Sequence, residues 1–87
     1  MAAAPRRYLV MAIRQPGFDA GVIEPHLAYI GQLRARGQLE LSGGFSDSSG
    51  GAYVLRAADL AEARALADAD PLHLTGASRL TVFEWNA

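Results

Sequence analysis

The sequence predicts an α+β domain with one four-stranded sheet and two helices. Three observations carry this. Apolar residues fall into four short strand-like runs and two longer stretches of helical spacing, in the order β-α-β-β-α-β. Gly and Pro punctuate the boundaries between these runs. The 87 residues allow one domain and no more, spanning 1–87 with an ordered core over about residues 6–86.

Residues 1–5 read as a frayed start. Arg7 to Ile13 (RYLVMAI) has the β-branched and aromatic character of a strand, ended by Gln15-Pro16-Gly17. A helix follows from about Val22 to Arg36 and stops at Gly37, a C′ glycine, with Pro25 confined to its first turn. Leu39, Leu41 and Phe45 alternate with polar or small residues and predict a half-buried second strand. Gly43-Gly44 through Gly50-Gly51 makes the hairpin, and Ala52 to Arg56 the third strand. Asp59 and Glu62 have the spacing of a capping box at the start of a helix that runs to about Ala69. Asp70-Pro71 stops it, because a residue before proline disfavours the helical region. Arg79 to Trp85 (RLTVFEW) is the last strand.

This order is the ferredoxin-like pattern. Two right-handed crossovers give strand order 4-1-3-2, with antiparallel neighbours and both helices on one face. The other face then needs a cover. A wet face requires strict apolar–polar alternation, yet Tyr8 to Ile13 and Ala52 to Leu55 are apolar on both sides. In the last strand Leu80 and Val82 face one way, Phe83 and Trp85 the other. A second copy of the chain, packed sheet to sheet, is the simplest cover. It also supplies the burial that a domain of this size lacks, since such a chain hides only about 60–65% of its unfolded surface. The expectation is a homodimer.

Composition narrows the function. There is no cysteine, hence no disulfide, no thiolate ligand and no thiol nucleophile. With only His26 and His73 as imidazoles, no structural zinc site is expected. The net charge is −1 and basic residues are not clustered, which argues against nucleic acid. No apolar run approaches the ~20 residues of a membrane span, and the start lacks the apolar core of a secretory signal. Cytoplasmic residence is the default expectation.

The topology brings distant residues to one end of the sheet. Arg14 ends the first strand, His26 opens the first helix, Ser42 and Gly43 end the second strand, and Gly51 opens the third. Asp70 closes the second helix, and His73 precedes the last strand. His26, Ile30 and Leu33 stand at i, i+4, i+7, so His26 extends an inward stripe; Ala63, Leu66 and Asp70 have the same phase on the second helix. A carboxylate beside an imidazole fixes its tautomer and stabilises the imidazolium, which makes the histidine a general base. A buried His–Asp pair that only ties two helices together fits the same spacing. Arg14 is placed to hold an anionic substrate, and Ser42 to donate to a substrate oxygen, with Gly43 beside it. Nothing marks Ser42 as a nucleophile. Tyr53, Phe83 and Trp85 read as packing or interface residues.

These residues also carry a resemblance. Pro25-His26-Leu27-Ala28-Tyr29-Ile30, with Leu33 and the Gly37-Gln38-Leu39 turn, resembles the first helix of YCII-related proteins. Ser42-Gly43-Gly44-Phe45 with Asp47 resembles their second-strand end and hairpin, and Ala63 to Pro71, closing on Ala67-Asp68-Ala69-Asp70-Pro71, their most recognisable motif. The resemblance covers nearly the whole chain. It implies a dimeric α+β barrel with a paired histidine and aspartate, here His26 and Asp70, as active-site residues in a cleft. One branch of that family includes a dehydrochlorinase acting on a chlorinated hydroxyhydroquinone. Three positions depart from the pattern: Pro25 abuts His26, Gly44 replaces a common proline, and His73 stands where an apolar residue is usual.

Four functions follow as alternatives. In the first, a lyase or isomerase, His26 takes a proton from a small, ring-shaped substrate and Asp70 steadies the imidazolium, with no cofactor. In the second, a cofactor-free oxygenase, the same base makes a carbanion that reacts with oxygen. The third is a non-catalytic ligand-binding or regulatory module. The fourth is a metal site built from His26, His73 and Asp70. The first is the principal expectation.

Overall fold

The computed structural model describes residues 5–87. The frayed start expected over residues 1–5 lies, for residues 1–4, outside the described residues. The elements are β1 (Arg6–Arg14), a 3₁₀ turn (Ala20–Val22), α1 (Ile23–Ala35), β2 (Leu39–Gly44) and β3 (Gly50–Ala57). Then follow α2 (Leu60–Asp68), α3 (Pro71–Leu74) and β4 (Ser78–Trp85). The sheet order is β2-β3-β1-β4 with every neighbour antiparallel, which is the ferredoxin-like order expected from the sequence.

The ends of α1 follow from local chemistry. Asp19 Oδ1 accepts from Gly21 N at 2.9 Å and starts the 3₁₀ turn that leads the chain into the helix. Pro25 sits in the first turn of α1, where its missing N–H costs nothing. At the other end Gly37, at φ +75°, completes a Schellman motif: Gly37 N donates to Arg34 O and Gln38 N to Leu33 O. The α2 start is capped by Asp59, whose Oδ1 accepts from Glu62 N at 2.8 Å.

The core lies between the sheet and the helices. Tyr8, Val10, Tyr53 and Leu55 on the sheet pack with Ile30 and Leu33 of α1 and with Ala63 and Ala67 of α2. The two alanines let α2 lie close to the strands. Tyr29 Oη donates to Leu66 O at 2.6 Å and ties α1 to α2.

Two parts of the second strand and helix differ from the sequence expectation. Leu39, Leu41 and Phe45 do not share one buried face. A register shift between Leu39 and Leu41 turns the strand over, so Leu39 is buried opposite Leu55 while Leu41 is 66% exposed opposite Val54. Such a bulge adds one residue to one strand and reverses the alternation beyond it. Phe45, past the strand end, is half-exposed. Asp70 does not continue the α2 stripe either. The chain leaves the helix at Ala69, and Asp70 is extended (φ −66°, ψ 132°) as the N-cap of the short helix α3, with Pro71 as its first residue. Proline forces both outcomes: it bars the preceding residue from the helical region and is preorganised for the first helical position.

Within one chain the second sheet face stays open. Leu9 pairs laterally with Val54 and Phe83, and Met11 with Ala52 and Thr81. Ile13, Leu41, Phe83 and Trp85 on this face are exposed. No described helix is long and apolar enough to cross a membrane.

Candidate active site

Asp70 is the centre of the site. It is fully buried and accepts from three directions. Leu72 N donates to Oδ1 at 2.8 Å, which is the cap of α3. Tyr53 Oη donates to Oδ2 at 2.9 Å. His26 Nδ1 stands 2.9 Å from both carboxylate oxygens. A carboxylate only accepts, so Nδ1 carries the proton in this pair. Nε2 is then the nitrogen with the free lone pair in the neutral ring, and it has no partner among the described residues.

Each group is held by a different element. His26 comes from the second turn of α1, whose entry is set by the Asp19 turn and Pro25. Tyr53 comes from the middle of β3, and its ring lies 6.0 Å from that of His26, tilted by 43°. Burial, the Asp70 carboxylate and the hydrogen bond to it push the Tyr53 phenol far above its usual range, so it remains a neutral donor. Tyr29 is raised as well, by burial first and Asp70 second. The His26 side chain is 16% exposed and Asp70 not at all, so the imidazole is the part of the pair that meets solvent.

His26 opens on a cavity of about 200 Å³. Arg14, Ser42 and Gly43 line it with His26, as the convergence of strand and helix ends anticipates. Its apolar wall comes from Phe18, Ile23, Leu27, Ile30 and Leu72. Gly44, Gly50 and Gly51 also line it and expose only backbone. Two of these have no room for a side chain: a Cβ at Gly50 would lie 1.9 Å from Ala12 O, and one at Gly51 2.4 Å from Gly43 O. Arg14 stacks on Phe18, its guanidinium carbon 4.3 Å from the ring centroid. Ser42 Oγ accepts from Arg34 Nη2 at 3.2 Å, which leaves its own hydroxyl proton to donate elsewhere.

His73 is placed differently. It lies on α3 with its side chain 49% exposed, 3.8 Å from Asp68 and outside the cavity lining. Its backbone N donates to Asp70 O at 2.9 Å, but its side chain turns to Asp68 and makes no bond to His26 or Asp70. No group of three or more metal-ligating His, Asp or Glu side chains occurs among the described residues. In the other direction, Tyr53 belongs to the site although its sequence context, a tyrosine amid apolar strand residues, reads as packing. The available signal was register: Tyr53 falls opposite Val10 on the helix-covered face, close to the strand end where Asp70 arrives.

A buried carboxylate thus orients an imidazole at the mouth of a small, mostly apolar cavity on a ferredoxin-like α+β scaffold. The chain belongs to the family of YCII-related domains, whose profile matches residues 7–86. The uncharacterized protein YjpA of Bacillus subtilis (strain 168) is 40% identical over 78 residues, covering 90% of this chain and 92% of that protein. Among solved structures, the fold resembles that of 5-chloro-2-hydroxyhydroquinone dehydrochlorinase (TftG) from Burkholderia phenoliruptrix AC1100, determined in complex with 2,5-dihydroxybenzoquinone. The TM-score is 0.73 at 22% identity, over 92% of this chain and 93% of that one. At that identity the likeness is one of fold.

Proposed function

We propose that this chain is a cofactor-independent acid–base enzyme of the lyase or isomerase type, acting on a small, ring-shaped substrate. His26 is the general base and Asp70 its partner. The observation that carries this reading is the 2.9 Å contact of His26 Nδ1 with both oxygens of a buried carboxylate, at the edge of a cavity. Asp70 holds the ring so that Nε2 serves as base, and its negative charge stabilises the imidazolium that forms. In a dehydrochlorinase-like elimination the chlorine-bearing ring carbon is tetrahedral, as in a keto tautomer. The proton of the adjacent carbon goes to Nε2, its C–H pair becomes the new C=C bond, and chloride leaves with the C–Cl pair. In an isomerisation the imidazolium returns the proton to another carbon. The dehydrochlorinase with the similar fold gives the elimination its support. Ser42 is placed to donate to a substrate oxygen, beside Gly43. The working form is a homodimer in which a second copy covers the open sheet face, in the cytoplasm.

The test is chloride release from 5-chloro-2-hydroxyhydroquinone and related halogenated ring substrates. His26→Ala is expected to lose about 10²–10⁴-fold, the usual worth of a general base. Asp70→Asn is expected to lose less, because asparagine keeps the cap of α3 and the shape but not the charge. A His26→Ala protein that turns over at the wild-type rate contradicts the scheme. A wild-type protein that holds such rings unchanged favours a binding module instead.

A further inference from the structure

The cavity beside His26 has an uneven charge. Of its lining side chains only Arg14, His26 and the Tyr53 phenol can ionise, and no Asp or Glu is among them. Asp70 lies behind the imidazole, fully buried, with both oxygens engaged by His26, Tyr53 and Leu72 N. Its carboxylate therefore faces His26, Tyr53 and Leu72 N and is not part of the cavity lining.

Arg14 is the arginine that lines the cavity. Arg6 pairs with Glu84, Arg7 and Arg56 share Glu40, and Arg34 donates to Ser42. Arg14 has no salt-bridge or side-chain hydrogen-bond partner among the described residues. Arg36, Arg64 and Arg79 also lack such partners among the described residues but stand outside the lining. The Arg14 guanidinium carbon lies 4.3 Å from the centroid of the Phe18 ring, whose face favours a cation. A planar guanidinium with free edge donors is the group that binds a planar oxyanion by two parallel hydrogen bonds. Gly43, Gly44, Gly50 and Gly51 present only backbone to the cavity. A volume of about 200 Å³ admits one ring with small substituents, and falls below the roughly 300–1,000 Å³ of drug-sized pockets.

We infer that the cavity takes a small planar ring bearing an oxyanion, a carboxylate or an enolate or phenolate oxygen, and that Arg14 is the residue that binds this oxygen. The inference deepens the acid–base reading above and rests on it for one further role. When His26 Nε2 accepts a proton from a saturated ring carbon next to a ring carbonyl, the C–H pair becomes a ring C=C bond, the C=O π pair moves onto the oxygen, and Arg14 binds the enolate oxygen so formed. Binding of the anion itself requires no turnover.

Benzoate and benzamide separate charge from shape, being nearly equal in size and planarity. In titration calorimetry the wild-type protein is expected to bind benzoate on the order of 10–100-fold more tightly than benzamide, the worth of a charge-assisted bond. Arg14→Gln removes that preference while keeping benzamide binding, and Arg14→Lys keeps part of it. In His26→Gln the preference for benzoate persists, because Arg14 carries it. Equal affinities in the wild type overturn the inference. So do undetectable benzoate binding at tens of millimolar, a preference that survives Arg14→Gln, or one that vanishes in His26→Gln. A protein that prefers benzoate but shows no His26-dependent turnover retains the anion subsite and refutes only the base.

Discussion

At the scale of single residues, Asp70 does two jobs with one side chain. It caps α3 through Oδ1 and orients His26 through both oxygens. The phase of His26 on the first helix and the Asp70-Pro71 step pointed to the pair, but Asp70 reaches His26 as the cap of α3 and not along the α2 stripe that the spacing suggested. Tyr53 was not visible in the same way, because its role depends on one hydroxyl meeting a carboxylate from another element. That hydroxyl has a consequence for pH. The Tyr53 phenol is held far above its usual range by burial and by Asp70, so the folded state keeps a proton that the unfolded state releases near pH ~10. Stability from this source is therefore fully present below about pH 10 and is lost as pH rises beyond it. Urea melts at about pH 9 and 11 should show that loss, and Tyr53→Phe should reduce the slope. At neutral pH the same variant should cost about 1 kcal/mol, one net hydrogen bond. An unchanged slope in Tyr53→Phe would place the alkaline sensitivity elsewhere.

At the scale of elements, the strands and long helices follow from patterning, whereas their irregularities do not. The bulge between Leu39 and Leu41 changes which face Leu41 occupies, and a five-residue alternation cannot announce an inserted residue. The short helix Pro71–Leu74 is too brief for helical periodicity to register, and it carries His73 outward toward Asp68. Glycine at the β2–β3 edge has a clearer physical reason. Gly51 lets β3 approach Gly43 O, 2.4 Å from where a Cβ would stand, along the edge of the cavity. Gly51→Ala must push β2 away from β3 or break the pairing of Gly44 with Gly51. The expected result is a loss of about 1–3 kcal/mol in denaturant melts, as for other overpacked sites, together with weaker ligand binding. A variant as stable as the wild type, with the cavity unchanged, would show that the strand end yields freely.

At the scale of the whole molecule, the sequence anticipated a sheet with two apolar faces and helices for only one, and Leu41, Phe83 and Trp85 do stand exposed on the other. Exposed apolar patches of this kind mark interaction surfaces. Light scattering at micromolar concentration should return the mass of two chains, and Phe83→Glu should shift it to one. A monomeric wild type would leave that face without its proposed cover. The His26–Asp70 pair and the cavity lining described above come from one chain, so the tautomer of His26 can be examined in either state. Imidazole ¹⁵N chemical shifts of His26, recorded by long-range ¹H–¹⁵N NMR where the ring is neutral, test the account most directly. The account predicts the proton on Nδ1, facing Asp70, with Nε2 bare, and a mixture of tautomers once Asp70 is replaced by alanine. A neutral ring protonated at Nε2 in the wild type would contradict it, because the nitrogen assigned to take the substrate proton would already hold one.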